Sequence, residues 1–323
     1  MTHASLPWDS RIGRRLKLRD LHILFAVVQW GSMAKAAGHL GMSQPAVSEA
    51  IANLENVLSV RLLDRSPRGI EPTIYAEALL KRGHVVFDEL RQGLQDIEFL
   101  ANPTAGEVRI GCTEALMAGF VPAIIDRLSR RFPHVVVHVV TAQAATQDFQ
   151  ELRERSVDLM LGRIFRPVVE DDIATETLCE DRRLFVVAGA QSQWARRRKI
   201  ALSELVTEPW VLYPADNVVG SYYAQVFHAN GLELPRKGVI GYSFEIRMHL
   251  LATGRFLTML RGLTLHYCAK RWSLTALPID LNASSVPVAI FTLKNRTASP
   301  VVQLFIAHAR AVAKTMTKAS LNV

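Results

Sequence analysis

The hydrophobic period of this chain changes once, across Asn102-Pro103-Thr104-Ala105-Gly106, and that change restricts the fold more than any other feature. Before it, apolar residues recur at helical spacing. After it, short apolar runs of strand length alternate with amphipathic helices. The proline and glycine within the run end a helix and mark a hinge. A chain of 323 residues has room for two or three domains at ~100–200 residues each. The expected organisation is residues 1–75, a connecting helix over 76–103, and residues 104–323.

In the first part, Leu18, Leu21, Phe25 and Val28 form one stripe of a helix over roughly 18–30. Gly31-Ser32 breaks it, and Ser32 is placed to cap a short helix from Met33 to Leu40 whose alanines permit close packing. Gly41 can take positive φ, and Ser43-Gln44-Pro45 supplies an N-cap with proline in the first turn of a third helix. There Val47, Ile51, Leu54 and Leu58 share one face while Pro45, Ser48, Glu49 and Ala52 point the other way. Two short helices joined by a glycine turn, the second with a slim polar face near its start, fit a DNA major groove; an ordinary helical hairpin is the alternative. Next, LLDRSPRGIEPT places Arg65 and Arg68 in a Pro/Gly loop between apolar pairs, as in a β-ribbon wing. Such arginines meet phosphate or a minor groove, or are solvated loop charge.

The run FAVVQWGSMAKAAGHLGMSQPAVSEAIANLENVLSVRLLDRSPRGIEPTIYAEALL resembles the winged helix-turn-helix of LysR-type transcriptional regulators. The resemblance rests on Gly-Ser before the Ala-rich second helix, the Ser-Gln-Pro-Ala-Val-Ser opening of the third, Leu54-Glu55 with Leu58, Leu62 with Arg65, and Thr73 before the next helix, and it covers residues 18–80. Ser59 stands where the family usually has glycine, and Glu49 where a basic or polar residue is common. The resemblance implies that Ser43, Gln44, Pro45 and Ser48 face the major groove, that Ser32 and Thr73 bond phosphates, and that Arg65 and Arg68 are wing contacts. Gln44 suits base readout because its amide can pair bidentately with adenine, a contact worth ~1–3 kcal/mol of discrimination; a capping bond is the alternative.

From Ala76 to Leu100, the residues Leu79, Gly83, Val86, Leu90, Gly93, Ile97 and Leu100 repeat at alternating spacings of four and three. This is a coiled-coil-like seam, through which a homodimer or homotetramer would form unless the seam packs on the protein's own body.

Past the hinge, Val108–Gly111, Phe120–Phe132, Val135–Val140, a helix near 147–154 and Asp158–Gly162 give a βαβαβ order, which implies a largely parallel sheet covered by helices. Leu184–Ala188, Trp210–Tyr213, Val239–Gly241 and Phe256–Leu260 continue the alternation, and Val286–Leu293 with a helix over 299–317 closes it. About 220 residues of this kind suit two similar lobes with ligand outside the carboxyl ends of the strands. The region resembles the effector-binding domain of the same family, with the two-lobed architecture of periplasmic solute-binding proteins. YSFEIRMHLLATGRFLTML and AIFTLKNRTASPVVQLFIAHAR look like the branch containing regulators of sugar-binding-protein and protocatechuate-catabolism genes. The implied fold is α/β: a winged helix-turn-helix, a long linker helix and a two-lobed effector domain.

Strand and helix ends nominate the effector contacts: Thr113 and Glu114 after the first strand, Ala145 and Thr146 after the second, and Arg163 ending the third. Ser221 opens a helix whose N–H groups suit an anion, and Ser243 with Phe244 opens another. Arg163 either clamps a carboxylate bidentately or pairs across the lobes with Asp171, Asp172 or Glu114. The expected effector is an organic acid or a sugar-derived anion.

The +8 net charge favours an anionic partner, but it does not mark the DNA-binding part. Residues 1–100 carry 12 Lys/Arg against 11 Asp/Glu, and residues 101–323 carry 26 against 19. Arg196-Arg197-Arg198-Lys199 reads as a solvated loop. Charged residues interrupt every apolar stretch before ~18 residues, so no membrane span is expected, and the N-terminus lacks the pattern of a secretory signal. Cys112, Cys179 and Cys268 have no paired spacing, as suits reduced thiols in a cytoplasm. No HExxH, phosphate loop or nucleophile elbow occurs. His134 and His138 would lie about 13 Å apart along a strand, too far to share a metal. A regulator without enzymatic activity, metal or cofactor is therefore expected. A solute-binding protein would need a secretory signal, and an enzyme would need an acid, base or nucleophile set.

Overall fold

The structure is a computed structural model describing residues 15–66, 69–142 and 149–319. Arg68, Ala145 and Thr146, together with the side chain of Arg65, lie outside the described residues. The chain divides into two compact units, residues 1–91 and 92–323.

The N-terminal unit opens with α1 (Leu18–Trp30), α2 (Met33–Leu40) and α3 (Gln44–Leu58). Gly31 and Gly41 end the first two helices, each at φ 62, the left-handed turn that glycine adopts without a Cβ penalty. Leu24, Val27, Ala36, Val47, Ile51 and Leu54 are buried in one core. A hairpin of β1 (Leu63–Ser66) and β2 (Gly69–Pro72) follows. It is tied to the helices at both ends: Glu55 Oε1 accepts the N–H groups of Leu62 and Leu63 at 2.7 and 3.3 Å, and Ile70 N–H donates to the Gly31 carbonyl at 3.1 Å. Arg65 sits on β1 opposite Ile70.

Helix α4 runs over Ile74–Ala101. Leu79 packs on the N-terminal core, and Gly83 lies so close to Phe25 that a Cβ there would stand 2.8 Å from the ring. Beyond this point the apolar stripe faces outward: Val86, Leu90, Leu94, Ile97 and Leu100 are exposed, Leu100 to 81%. The seam is thus divided, its first part packed on its own unit and its second part uncovered.

The second unit has two five-stranded sheets. The first has the order β4-β3-β5-β12-β6, from β3 (Ala105–Cys112), β4 (His134–Thr141), β5 (Leu159–Arg163), β6 (Ile173–Asp181) and β12 (Val286–Leu293). The second has the order β11-β7-β10-β8-β9, from β7 (Leu184–Gly189), β8 (Trp210–Leu212), β9 (Gly238–Ile240), β10 (Leu257–Arg261) and β11 (Leu274–Ala276). Each sheet is largely parallel, as expected, with four strands pointing one way and a single strand reversed: β12 runs antiparallel to β5 and β6, and β7 antiparallel to β10 and β11. The cause is the chain's double crossing, from β6 into β7 and from β11 back to β12, since each crossing delivers a strand from the opposite lobe.

The helices are α5 (Glu114–Met117), α6 (Phe120–Ser129), α7 (Gln150–Arg153), α8 (Val218–Ala229), α9 (Phe244–Ala252), α10 (Gly262–Cys268) and α11 (Pro300–Ala319). Phe120, Ile124 and Phe305 fill the first lobe, and Trp210, Tyr223 and Phe227 the second.

Ser59, at the end of α3, has φ 57 and ψ 29. A side chain in that left-handed region is strained by up to about 1 kcal/mol relative to glycine. Ser59→Gly is therefore expected to raise the unfolding midpoint of the N-terminal unit by several degrees, at ~4–8 °C per kcal/mol for a domain this size, as followed by circular dichroism.

Candidate nucleic-acid interface and interlobe cavity

Ser43 Oγ accepts the Ala46 N–H at 3.4 Å, and Pro45 occupies the first turn of α3, where no N–H is needed. The cap leaves Ser43, Gln44 and Pro45 exposed and Ser48 half-buried, while Val47, Ala50 and Ile51 anchor the opposite face. Ser32 caps α2 through Lys35 N–H at 3.5 Å. Thr73 joins the hairpin to α4, because its hydroxyl donates to the Arg61 carbonyl at 2.8 Å and accepts the Ala76 N–H at 3.3 Å.

Between the lobes lies a cavity of about 190 Å³. Its walls come from the carboxyl ends of strands in both sheets, where open α/β folds place their ligands. Thr113 and Glu114 follow β3, Thr141 and Ala142 end β4, and Arg163 and Phe165 end β5. From the second lobe come Tyr213 after β8, Asn217 and Val219 at the start of α8, Tyr242 after β9, Arg247 on α9, and Arg261 ending β10.

Of the residues nominated from sequence, Thr113, Glu114 and Arg163 line this cavity. Ser221, Ser243 and Phe244 lie outside the lining. Helix α8 starts earlier than the sequence suggested, capped by the Asn217 side chain, so the Ser221 N–H is already given to the Asn217 carbonyl at 2.8 Å. Ser243 caps α9 through Ile246 N–H at 3.3 Å, and Phe244 packs into the second lobe's core. The Phe244 N–H donates to Glu114 Oε2 at 2.5 Å, which sets a first-lobe carboxylate on the N-terminus of α9.

Arg163 pairs with none of Asp171, Asp172 or Glu114. Asp181, 4% exposed, accepts its Nε and Nη2 at 3.1 and 2.9 Å, and Nη2 also meets Thr264 Oγ1 at 2.8 Å. Asp172, with Glu170, binds Arg153 on the surface instead. The other Asp181 oxygen accepts the Leu263 N–H at 3.1 Å. Asp181 escapes sequence reasoning because IATETLCED, with its acids and threonines, does not read as a strand.

Arg247 and Arg261 were also missed. Arg247 is 1% exposed and stacks on the Tyr213 ring at 3.9 Å; Arg261 is 3% exposed and lies 4.8 Å from the Tyr222 ring centre. Burial, with a smaller contribution from Tyr213, pushes the Tyr223 phenol up to about 12 against the opposing pull of Arg247, Arg261 and Arg163. Three guanidiniums therefore surround one buried phenol. Burial also raises the Cys112 thiol to about 12 and Cys179 to about 11, which keeps both protonated and unreactive.

His138 on edge strand β4 meets Glu107 at 3.3 Å, and no metal-binding cluster occurs among the described residues. Arg197 of the basic run pairs with Glu204 on the surface. No described helix is long and apolar enough to cross a membrane.

Residues 18–77 match the family described as bacterial regulatory helix-turn-helix protein, lysR family, and residues 101–314 match the LysR substrate binding domain. The chain belongs to the LysR family of transcriptional regulators, with a DNA-binding and an effector-binding domain, and the matched families are those of regulators rather than enzymes. It is 26% identical to the HTH-type transcriptional regulator GbpR of Azospirillum brasilense over 323 residues, all of this chain and 94% of that protein. It is 28% identical to the HTH-type transcriptional regulator PcaQ of Agrobacterium fabrum over 221 residues, 68% of this chain and 70% of that one. The full-length LysR-family regulator CbnR, solved in complex with its target DNA, shares the fold at a TM-score of 0.67 and 19% identity, covering 92% of this chain and 100% of that one.

Removing the charge of Asp181 leaves Arg163 buried without a counterion, at a cost of about 3–5 kcal/mol. Asp181→Asn is expected to lower the unfolding midpoint of the effector-binding unit sharply. Denaturant titration followed by tryptophan fluorescence measures it, Trp210 being buried in that unit.

Proposed function

We propose that the protein regulates transcription in the cytoplasm by binding a promoter or operator as a homodimer or homotetramer, under the control of a small organic acid or sugar-derived anion held between the lobes. The observation that supports it most is the interlobe cavity, where three arginines meet only two carboxylates, Glu114 and the buried Asp181. Its volume is below the ~300–1,000 Å³ of drug-sized pockets, which suits a compact metabolite. The working division is residues 1–75 for DNA, 76–103 for assembly and 104–323 for the effector.

On the DNA side, Ser43, Gln44, Pro45 and Ser48 face the major groove, Ser32 and the exposed rim of Thr73 approach phosphates, and Arg65 and Arg68 are the wing contacts. Gln44→Ala is expected to weaken a cognate site by about 1–3 kcal/mol and to leave random DNA nearly unchanged. Fluorescence anisotropy on both DNAs at fixed salt tests this. Equal losses would remove Gln44 from base readout.

On the assembly side, the exposed stripe of α4 from Val86 to Leu100 is the seam. Replacing Leu90 and Ile97 with aspartate sets charge against apolar surface in an oligomer and is expected to yield monomers whose DNA binding falls steeply, since a two-fold site needs two helices at fixed spacing. Sedimentation velocity reads the result; an unchanged coefficient would place the contact elsewhere.

A further inference from the structure

The cavity's polar groups are unevenly satisfied, and the imbalance lies in one lobe. Arg247 Nε and Nη2, Arg261 Nε and Nη2, and Asn217 Nδ2 are buried without a hydrogen-bond partner. All are donors, and all belong to the second lobe. The orientation of the Asn217 amide is fixed, because its Oδ1 caps α8 by accepting the Gly220 N–H at 2.7 Å and so leaves Nδ2 as the free end. On the first lobe, Arg163 is neutralised by Asp181, and the Glu114 carboxylate is engaged by the N-terminus of α9. Two guanidiniums therefore remain without a counterion, with their Nε and Nη2 shielded from solvent. Buried charge with unmet donors is costly unless a ligand supplies the acceptors.

From this we infer that the effector's acidic group docks on the second lobe, in the forks of Arg247 and Arg261, and that Asn217 Nδ2 reads a second oxygen acceptor on the same molecule. The ligand class is a compact carboxylate with a hydroxyl or carbonyl oxygen nearby and a flat apolar body, which lies against Phe165, Tyr213 and Tyr242. This rests on the effector reading above and puts the anchor on residues other than the Thr113, Thr146, Ser243, Phe244 and Arg163 that the sequence nominates. Arg261 also braces the junction of the lobes, since its Nη1 donates to the carbonyls of Asp181 and Ser284, at 3.2 and 2.9 Å, one in each crossing between them. Arg247 makes no such brace and is the residue to test.

The experiment follows thermal unfolding of the full chain with and without benzoate, 2-hydroxybenzoate and benzamide, alongside binding to a footprinted promoter fragment. Both carboxylates are expected to raise the midpoint, 2-hydroxybenzoate more than benzoate, and benzamide not at all. Arg247→Met is expected to melt no lower than the native chain without ligand and to bind the carboxylates about 30-fold or more weakly. Arg247→Lys, which keeps the charge and loses the fork, also weakens them and covers the case in which the methionine variant does not fold. Three results overturn the anchor: no rise with either carboxylate, an equal rise with benzamide, or a rise that survives in both variants. If neither carboxylate acts but a neutral compound alters promoter binding, the anchor fails and effector control stands. Stabilisation that depends on Arg247 but leaves promoter binding unchanged upholds the anchor and removes the effector reading.

Discussion

The geometry of the effector-binding unit depends on one buried carboxylate. Asp181 ends β6 where the chain leaves the first lobe. One of its oxygens takes both donors of the Arg163 fork, the other takes the Leu263 N–H, and its own carbonyl takes Arg261 Nη1. Arg163 closes the first lobe's third strand, and Leu263 and Arg261 begin the helix that follows β10 in the second. A single side chain thus fixes the strand ends of both lobes to the crossing that joins them. Buried pairs of this kind contribute little net stability against an apolar replacement, but losing one partner is costly. What Asp181 secures is geometric uniqueness: the two sheets meet in one arrangement, and the cavity between them has defined walls.

The N-terminal unit depends on caps instead. Ser32, Ser43 and Thr73 each satisfy an orphan N–H at a helix start, and Glu55 reaches from α3 to hold the two N–H groups that precede the hairpin. Each bond contributes ~1 kcal/mol, and together they fix the angle between α3 and the hairpin, the two elements proposed to meet DNA. A serine that caps is also fixed in place, so the same hydroxyls that define the helix starts stand at defined positions on the surface. Capping and contact are compatible for Ser43, whose oxygen has a second lone pair, and less so for Thr73, whose hydroxyl donates inward.

The first three helices were legible because glycine, serine and proline at their ends act locally, within one turn. The expected spans of α1 and α2 and the expected start of α3 agree with the structure, and even the exception at Ser59 is local, since the left-handed turn that favours glycine there is present with serine in it. The cavity was legible only in outline. Strand ends nominated Arg163 in LMLGR, and the same rule applied to LTMLR would have found Arg261, its counterpart in the second lobe. Arg247 could not be found this way. FEIRMHLLA reads as a helix with a solvated arginine, and only the packing of Tyr213 over its guanidinium shows otherwise. Asp181 was hidden because a strand that ends at a lobe crossing carries polar residues on both faces, which erases the alternation from which strands are read.

The two lobes meet their ligand unequally, and this has a consequence for signalling. A ligand shifts a conformational equilibrium only by the difference in its affinity for the two states, so contacts made wholly within one lobe bind without switching. Arg247 and Asn217 are such contacts. Arg261 is not, because its guanidinium is shared between the cavity and the carbonyls of Asp181 and Ser284 in the two crossings. An acceptor placed on its free Nε and Nη2 draws charge and orientation from a group that also sets how the strands cross. Coupling of ~1–3 kcal/mol, typical for allosteric proteins, is within the range of one charge-assisted hydrogen bond gained or weakened there. Affinity and response are accordingly separable in this unit, with Arg247 carrying the first and Arg261 joining the first to the second.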